Sequence, residues 1–313
     1  MKIIDVTLRE SIYIKNNAIS LENSKIIVKN LADVGVDYIE IGYVSLSNQV
    51  NNSVQEYCPL DYVRAMKESI PKNSKSKIAV MISLNEYNSK LKDYLIDLDI
   101  DLVRICIKYE DLDLSIRVIS ELQGNGFEIA ANLVRFTELT TEQILYFYNN
   151  VTKMNIHYVY LADSNGSAIP KQIQEIFKLI PKKSKVQLGY HPHNNLGLAL
   201  MNSLNALENG VSIIDSSIYG YGKGFSNLST EVFVCTLSKL NIRKFSDSNK
   251  LLNFSINCYE LFIKNVISEF YITKENSLIV GYKNINISKK NKIEQLARSK
   301  NLTLSEALLN FKN

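Results

Sequence analysis

The chain alternates between short runs rich in β-branched and aromatic residues and longer stretches with the apolar spacing of helices. Helix start signals support this alternation, since Ser20 and Thr140 each precede a helical stretch and Pro170 opens a third. Eight strand–helix units over about 240 residues are typical of a parallel (β/α)8 barrel, a TIM barrel of the α/β class. The eight β-rich runs lie at about residues 3–8, 36–42, 77–83, 101–107, 127–133, 156–162, 186–191 and 211–218.

An open, doubly wound sheet is the alternative that the same alternation allows. Its dinucleotide-binding members carry Gly-x-Gly-x-x-Gly after the first strand, whereas here that strand leads into Thr7-Leu-Arg-Glu10. We therefore favour the barrel and assign residues 1–245 to it as the catalytic domain. Beyond about residue 245 the rhythm stops, and residues 246–313 predict several helices with Asn- and Lys-rich connections. A helical C-terminal extension is expected there.

Charge and cysteine content narrow the class of protein. The 36 basic and 32 acidic residues are mixed along the sequence and leave a net charge of +4, so we expect no nucleic-acid partner and no membrane attachment. Consistent with this, no run of about eighteen apolar residues occurs. The four cysteines have no Cys-x-x-Cys spacing, which favours reduced thiols in the core. Together these features predict a cytoplasmic enzyme.

Two of the three histidines, His191 and His193, stand two residues apart at the end of the seventh predicted strand. Positions i and i+2 of a strand share a face, so both imidazoles can reach one ion or one substrate. Because the catalytic groups of such barrels stand at the C-terminal ends of strands, the other polar residues there are candidates too. Arg9 and Glu40 offer an ion pair from adjacent strands. The remaining candidates are Glu10, Asn132, Arg135, Asp163 and, after the eighth strand, Asn227.

A purely structural role is the alternative for several of these residues. The histidines could be two polar residues at a strand end, and the Arg9–Glu40 pair could only buttress the barrel. Asp163 could cap the helix that begins near Pro170 or order a loop.

Five motifs, in order along the chain, resemble those of the DRE-TIM metallolyase superfamily. This superfamily includes hydroxymethylglutaryl-CoA (HMG-CoA) lyase, the 4-hydroxy-2-oxovalerate aldolases, and the isopropylmalate and homocitrate synthases. The resemblance covers roughly residues 1–240 and implies a barrel that makes or breaks carbon–carbon bonds. The motifs are Asp5-Val-Thr-Leu-Arg-Glu10, Asp37-Tyr-Ile-Glu-Ile-Gly42, Asn132-Leu-Val-Arg135, His191-Pro-His-Asn-Asn-Leu-Gly-Leu-Ala199 and Gly224-Phe-Ser-Asn-Leu-Ser-Thr-Glu231.

The resemblance implies a divalent metal held by His191, His193 and Glu10, with Asn227 joining the ligands. Mn2+ or Mg2+ is expected, with Zn2+, Fe2+ or Co2+ as alternatives. Where the family has aspartate followed by glycine, this chain has Glu10 and Ser11. Glutamate places its carboxylate one methylene farther from the backbone and can still bind a divalent ion.

Two imidazoles and a carboxylate leave open positions on a metal where a 2-oxo acid can chelate. The resemblance implies that the metal and Arg9 then stabilise an enolate, while Glu40 holds Arg9 in place. Three further strand-end residues are the expected substrate-binding groups: Asn132, Arg135 and Asp163.

The segment after Arg9 resembles the aldolase branch of the superfamily. In the hydroxy-oxovalerate aldolases a histidine three residues after the metal carboxylate acts as the base, and Tyr13 matches that position here. Aldolase-like proteins of polysaccharide loci also carry tyrosine there. A tyrosine near a metal and Arg9 could reach a lowered pKa and transfer that proton. The resemblance thus implies a divalent-metal-dependent aldolase or retro-aldolase acting on a 2-oxo acid such as pyruvate and an aldehyde.

Two other functions stay open. One is a Claisen-type acyl-CoA transferase of the isopropylmalate or homocitrate synthase kind. The other is a catalytically lapsed barrel that serves as a binding partner, for which Glu10 and Ser11 are the main support. We also expect a homo-oligomer, and the resemblance to bacterial aldolases makes an aldehyde dehydrogenase a candidate partner for the C-terminal extension.

Overall fold

A closed ring of eight parallel strands forms the centre of the protein, in which each strand pairs with the next and β8 pairs with β1. The computed structural model describes residues 1–13, 19–46, 53–181, 185–222, 227–245, 274–286 and 289–311, with isolated positions between 250 and 256. The predicted (β/α)8 barrel is confirmed. Its strands are β1 (Lys2–Asp5), β2 (Tyr38–Tyr43), β3 (Lys77–Ser83), β4 (Leu102–Ile107), β5 (Glu128–Val134), β6 (Tyr158–Asp163), β7 (Gln187–Pro192) and β8 (Ile213–Ser216).

Helices surround the ring and pack their apolar faces against the strands. The predicted start signals are confirmed: Ser20 accepts a hydrogen bond from the backbone of Asn23, and Thr140 forms a capping box with Gln143. The barrel helices are α1 (Thr7–Glu10), α2 (Leu21–Val34), α3 (Val54–Tyr57), α4 (Leu60–Glu68), α5 (Ser89–Asp97), α6 (Leu112–Leu122), α7 (Thr141–Val151), α8 (Pro170–Leu179), α9 (Ala199–Glu208) and α10 (Thr230–Lys239).

The first strand is shorter than the sequence predicts, because β1 ends at Asp5 and the chain turns into the single helical turn α1. The Asp5 carboxylate accepts a hydrogen bond from the backbone N–H of Thr7 at 3.0 Å, and the N–H of Glu10 donates to the carbonyl of Val6 at 2.8 Å. These local bonds replace the strand pairing that a longer β1 would make. Arg9 and Glu10 therefore lie on a helical turn above the strand, and both side chains are buried.

The N-terminal end of the barrel is filled by a polar and aromatic cluster. The hydroxyls of Tyr38 and Tyr158 lie 2.9 Å apart, and the ammonium of Lys2 donates to Tyr158 at 2.6 Å. Lys77 and Glu128 complete the cluster with an ion pair of 2.9 Å. Open space for a substrate is therefore found toward the C-terminal ends of the strands.

A close approach of backbone to side chain shapes the middle of the barrel. Gly189 on β7 lies against the ring of Tyr160 on β6, and a Cβ atom there would stand 2.5 Å from two ring carbons. The guanidinium of Arg104 stacks on the same ring, 4.5 Å from its centroid. Gly189 thus leaves the space that Tyr160 needs to support Arg104.

The C-terminal extension is helical where the structure describes it, as predicted. Its helices are α11 (Lys274–Tyr282), α12 (Lys290–Lys300) and α13 (Leu304–Asn310), and they enclose a small core of their own. The start of the extension at residue 246 stays a prediction. In the described ranges, none of the helices has the length and apolar character that crossing a membrane requires.

The cysteines match the sequence expectation in part. Cys58, Cys106 and Cys235 are free thiols, but only Cys58 is fully buried. Cys106 lines the cavity described below, and Cys258 lies outside the described residues.

We expect Gly189→Ala to lower the free energy of unfolding by about 1–3 kcal/mol, because the added Cβ overpacks the barrel interior. Urea denaturation measures the effect. In a Tyr160→Leu background the same substitution should cost less, since leucine leaves the space that the ring occupies. An equal cost in both backgrounds would contradict the steric explanation.

Candidate functional site

A cavity of about 250 Å³ opens at the C-terminal end of the barrel. The catalytic sites of such barrels occur at this end, and the volume suits a small substrate rather than a drug-sized one. Side chains from most strand ends line it, together with one residue of the C-terminal extension. They are Arg9, Glu10, Tyr13, Tyr43, Met81, Ser83, Leu84, Asn85, Cys106, Lys108, Asp111, Asn132, Val134, Arg135, Ala162, Ser164, Asn165, His191, His193 and Asn286.

Three of the predicted metal ligands converge on one side of this cavity. Glu10, His191 and His193 each place a ligand atom within 4.8 Å of the others. The two Nε2 atoms are 3.2 Å apart, and His191 Nε2 lies 3.9 Å from Glu10 Oε1. Atoms that share one divalent ion at about 2.0–2.2 Å can be no more than about 4.4 Å apart. The His191–His193 and His191–Glu10 separations meet this limit, so the three side chains can converge on a single divalent cation, and the extra methylene of Glu10 does not keep its carboxylate away from His191.

The orientation of His191 is set by a buried carboxylate. Asp215 on β8 lies with Oδ2 2.8 Å from His191 Nδ1, so the Nδ1–H donates to Asp215 and the lone pair of Nε2 faces the cavity. Burial lowers the pKa of His191, although Asp215 acts in the opposite direction. The ring is therefore neutral at neutral pH, as a metal ligand must be. Such carboxylate–histidine pairs fix the ring and raise its basicity as a ligand.

Arg104 on β4 connects this carboxylate to the other side of the site. Its guanidinium is fully buried and contacts Asp215 Oδ2 at 2.5 Å and Glu40 Oε2 at 3.0 Å. Burial acts to lower the pKa of Arg104, but Asp215 and Glu40 together raise it above its ordinary value. Arg104 is a permanent positive charge in the barrel interior.

Arg104 and Asp215 are not among the site residues predicted from the sequence. Each is a charged residue that interrupts or directly follows apolar residues, in Leu102-Val-Arg-Ile-Cys-Ile107 and Ile213-Ile-Asp215. A charge in a strand that is buried on both faces needs a buried partner, so that signal was available. What the sequence does not contain is which charge pairs with which.

The predicted Arg9–Glu40 pair is present. Arg9 Nε donates to Glu40 Oε2 at 2.7 Å, and a second nitrogen of Arg9 contacts Glu10. Burial works to lower the pKa of Arg9, but Glu40 and neighbouring groups raise it overall. Arg9 lines the cavity whereas Glu40 does not. Glu40 is thus a positioning residue that holds Arg9 beside the candidate metal ligands.

Asn227 lies next to the candidate metal ligands. Its backbone bridges to His193, and a Cβ on Gly222 would collide with both the Asn227 amide and the Glu10 carboxylate. The Asn227 Oδ1 atom is buried and has no hydrogen-bond partner among the described residues, so it is available to a cation. The preceding part of its motif, residues 224–226, lies outside the described residues.

Tyr13 lines the cavity near Arg9, but Arg9 alone does not lower its pKa. Burial raises the pKa of Tyr13 and exceeds the opposing effect of Arg9. Its hydroxyl lies 3.4 Å from that of Tyr43. At neutral pH Tyr13 is a protonated phenol, which donates a proton or a hydrogen bond more readily than it accepts one.

Two of the three expected substrate-binding residues line the cavity. Asn132 on β5 is buried there, and its Oδ1 has no hydrogen-bond partner among the described residues. Arg135 lines the cavity just beyond the same strand.

Asp163 differs from the expectation, because it does not line the cavity. Its carboxylate accepts hydrogen bonds from the backbone N–H groups of Ser167 and Ala168 at 3.0 and 3.1 Å. Burial raises the pKa of Asp163 to about 6. Asp163 orders the loop after β6, which is the structural alternative that the sequence left open.

The fold and this cluster define a barrel enzyme with a candidate metal centre. The chain belongs to the HMGL-like family, whose model matches residues 1–256. This match confirms the predicted DRE-TIM superfamily.

Individual relatives agree with this family. A 4-hydroxy-2-oxovalerate aldolase from Geobacillus genomosp. 3 is 26% identical over 284 residues, which are 90% of this chain and 82% of the relative. An oxaloacetate decarboxylase from Mycobacterium tuberculosis is 25% identical over 240 residues, 76% of this chain and 70% of the relative. The crystal structure of the N-terminal domain of a protein designated an aldolase, from Bacteroides vulgatus, superposes with a TM-score of 0.80 at 25% identity, covering 96% of this chain and 98% of that one. The predicted enzyme class, a metal-dependent carbon–carbon lyase, is confirmed.

We expect Asp215→Asn to weaken the binding of Mn2+ about 10–100-fold, because the amide no longer holds His191 as a charged acceptor does. Calorimetric titration of the metal-free protein measures the affinity. Asp37→Asn is the matched control. The Asp37 carboxylate accepts a hydrogen bond from the backbone N–H of Ile3 at the opposite end of the barrel, so this substitution should leave the metal affinity unchanged. Equal affinity in wild type and Asp215→Asn would disprove the role of this carboxylate.

Proposed function

We propose that this protein is a divalent-metal-dependent aldolase or retro-aldolase that acts on a 2-oxo acid such as pyruvate and an aldehyde. The observation that carries the proposal is the convergence of Glu10, His191 and His193 beside the guanidinium of Arg9 in one small cavity. The similarity to 4-hydroxy-2-oxovalerate aldolases supports the choice of reaction.

A divalent ion held by Glu10, His191, His193 and Asn227 would draw electrons from a 2-oxo acid and so acidify the hydrogens on its C3 carbon. The two imidazole nitrogens make this donor set better suited to Mn2+ than to Mg2+, which prefers oxygen ligands.

Arg9 has the position and charge to stabilise the negative charge that develops on the substrate oxygens. Glu40 keeps the guanidinium fixed, so little reorganisation is needed when that charge appears. Asn132 and Arg135 extend the set of substrate contacts along the cavity wall.

The bond changes of the proposed reaction balance without an oxidant or a reductant. In the condensation direction, C3 of the 2-oxo acid gives a proton to solvent water, and the electron pair of that bond forms the new bond to the aldehyde carbon. The aldehyde oxygen then takes up a proton, which the protonated phenol of Tyr13 can supply. In the cleavage direction the same steps run in reverse, and the phenolate form of Tyr13 takes up the proton of the substrate hydroxyl.

The alternative functions have less support. A lapsed barrel was suggested by Glu10 and Ser11, but Glu10 reaches the cluster, and Ser11 turns its hydroxyl to the carbonyl of Leu8. Decarboxylation is a closer second candidate, because loss of CO2 from a 2-oxo diacid leaves the same enolate and a relative is named oxaloacetate decarboxylase. Release of CO2 from oxaloacetate measures that activity.

We further propose a cytoplasmic location and a homo-oligomeric state. An aldehyde dehydrogenase remains the candidate partner. The mixed charges of the chain support the cytoplasmic location.

We expect His191→Ala and Arg9→Gln to slow the metal-dependent exchange of pyruvate methyl protons with deuterated water about 100-fold or more, because they remove a metal ligand and the charge that stabilises the enolate. Mass spectrometry of pyruvate follows the exchange with added Mn2+ or Mg2+. Lys171→Gln, an exposed change on α8, is the control. Exchange that survives the loss of His191 would contradict the site.

We expect Tyr13→Phe to reduce aldol turnover by about 10²–10⁴-fold, the usual contribution of a positioned proton donor. Pyruvate proton exchange should fall much less, because it needs no proton at the aldehyde oxygen. Rates of both reactions in the same preparation make the comparison. A parallel loss of both would indicate that Tyr13 only supports the cavity wall.

A further inference from the structure

Two basic side chains, Lys108 and Arg135, line the cavity on the side away from the candidate metal ligands. Lys108 follows the end of β4 and Arg135 follows the end of β5, and these strands pair through Ile107 and Leu133. In a ring of eight strands β4 stands opposite β8. β8 lies between β7, which leads to His191 and His193, and β1, which leads to Glu10. A 2-oxo acid bound at the metal side therefore has these two charges across the cavity.

These two charges are not neutralised as the deeper arginines are. Arg9 and Arg104 each contact a carboxylate at 2.5–2.7 Å. Among the described residues no carboxylate lies within 4 Å of the Lys108 ammonium, although Asp111 also lines the cavity. The ion pair of Arg135 is a long one, 4.0 Å to Glu138 on the following turn.

The backbone of Arg135 adopts a conformation that is unfavourable for its side chain. Its φ is 57° and its ψ is 40°, in the left-handed region, and its N–H donates to Ser164 Oγ at 3.1 Å. Strained residues of this kind concentrate at functional sites, where the surrounding structure holds them. A role of the Arg135 side chain in the cavity would explain why this backbone strain is kept.

The C-terminal extension fixes this wall of the cavity. Asn284, in the turn after α11, accepts hydrogen bonds from Thr137, Asn165 and Ser167 at 2.7–2.9 Å. These residues belong to the loops after β5 and β6, next to Arg135. Two residues on, Asn286 reaches the cavity itself. The extension thus orders the loops around Arg135 and adds a polar group beside it.

We propose that the aldehyde substrate carries an anionic group, a carboxylate or a phosphate, which is bound by Lys108 and Arg135. This inference rests on the aldolase function proposed above. The deep end of the cavity takes the 2-oxo acid, and the aldehyde enters with its carbonyl toward the metal side and its anion toward the two basic side chains. Because these charges lack close carboxylate partners, an anion pairs with them without displacing a strong ion pair.

The first test compares three aldehydes with pyruvate as the common partner. Succinic semialdehyde carries a carboxylate, glycolaldehyde phosphate carries a phosphate, and butanal is a neutral aldehyde with the chain length of the first. We expect kcat/KM for at least one anionic aldehyde to exceed that for butanal tenfold or more, and the better of the two identifies the anion. Equal or higher kcat/KM for butanal would overturn the inference.

The second test uses Lys108→Gln, with Lys171→Gln as the matched control on the outer surface of α8. The measured quantity is the ratio of kcat/KM for the preferred anionic aldehyde to that for butanal, which is insensitive to the fraction of folded enzyme. We expect this ratio to fall at least tenfold in Lys108→Gln and in a second variant, Arg135→Gln, and to stay unchanged in Lys171→Gln. An unchanged ratio in both cavity variants would overturn the inference.

Pyruvate proton exchange in the wild type separates this inference from the proposed function. Exchange of the pyruvate protons requires only the part of the cavity that contains the candidate metal ligands. A wild type without exchange overturns the aldolase proposal and the inference with it. Normal exchange without preference for an anionic aldehyde overturns the inference alone.

Discussion

The buried guanidinium of Arg104 is the charge on which both halves of the site depend. It contacts Glu40, which holds Arg9, and Asp215, which orients His191. Removing one member of such a buried pair typically costs about 3–5 kcal/mol, because a charge is left without a partner. Arg9, for which we propose stabilisation of the enolate, and His191, a candidate metal ligand, are thus positioned by one ion-pair network that spans the barrel.

The charges of this network also favour a cation beside it. Two guanidiniums, Arg9 and Arg104, face three carboxylates, Glu10, Glu40 and Asp215, which leaves one net negative charge in a buried region. A divalent ion converts this to one net positive charge, which suits an anionic transition state. Glu10 can replace the aspartate of the family because α1 places its longer side chain where the carboxylate still reaches His191.

Much of the fold and part of the site could be predicted because the information is local. Strand and helix periodicity lies within each segment, and capping residues such as Thr140 act within one turn. The His-x-His spacing places the two imidazoles on one face wherever the segment is extended, as it is at the end of β7. The strand-end positions pointed to Arg9 and Glu10 as well, and the structure brings all four side chains to one cavity.

The sequence by itself determined that eight strands alternate with helices along the chain, and it determined the histidine pair, since each depends on neighbours in the chain. Only the tertiary structure decided that Arg104 pairs with Asp215, 111 residues away, because closure of the ring sets the partners of a buried charge. It also decided that burial raises the pKa of Tyr13 more than Arg9 lowers it. The position of Asn286 in the cavity, contributed by the extension, was likewise decided by the tertiary structure. These outcomes depend on what surrounds a group in space, and that is fixed only when distant segments pack together.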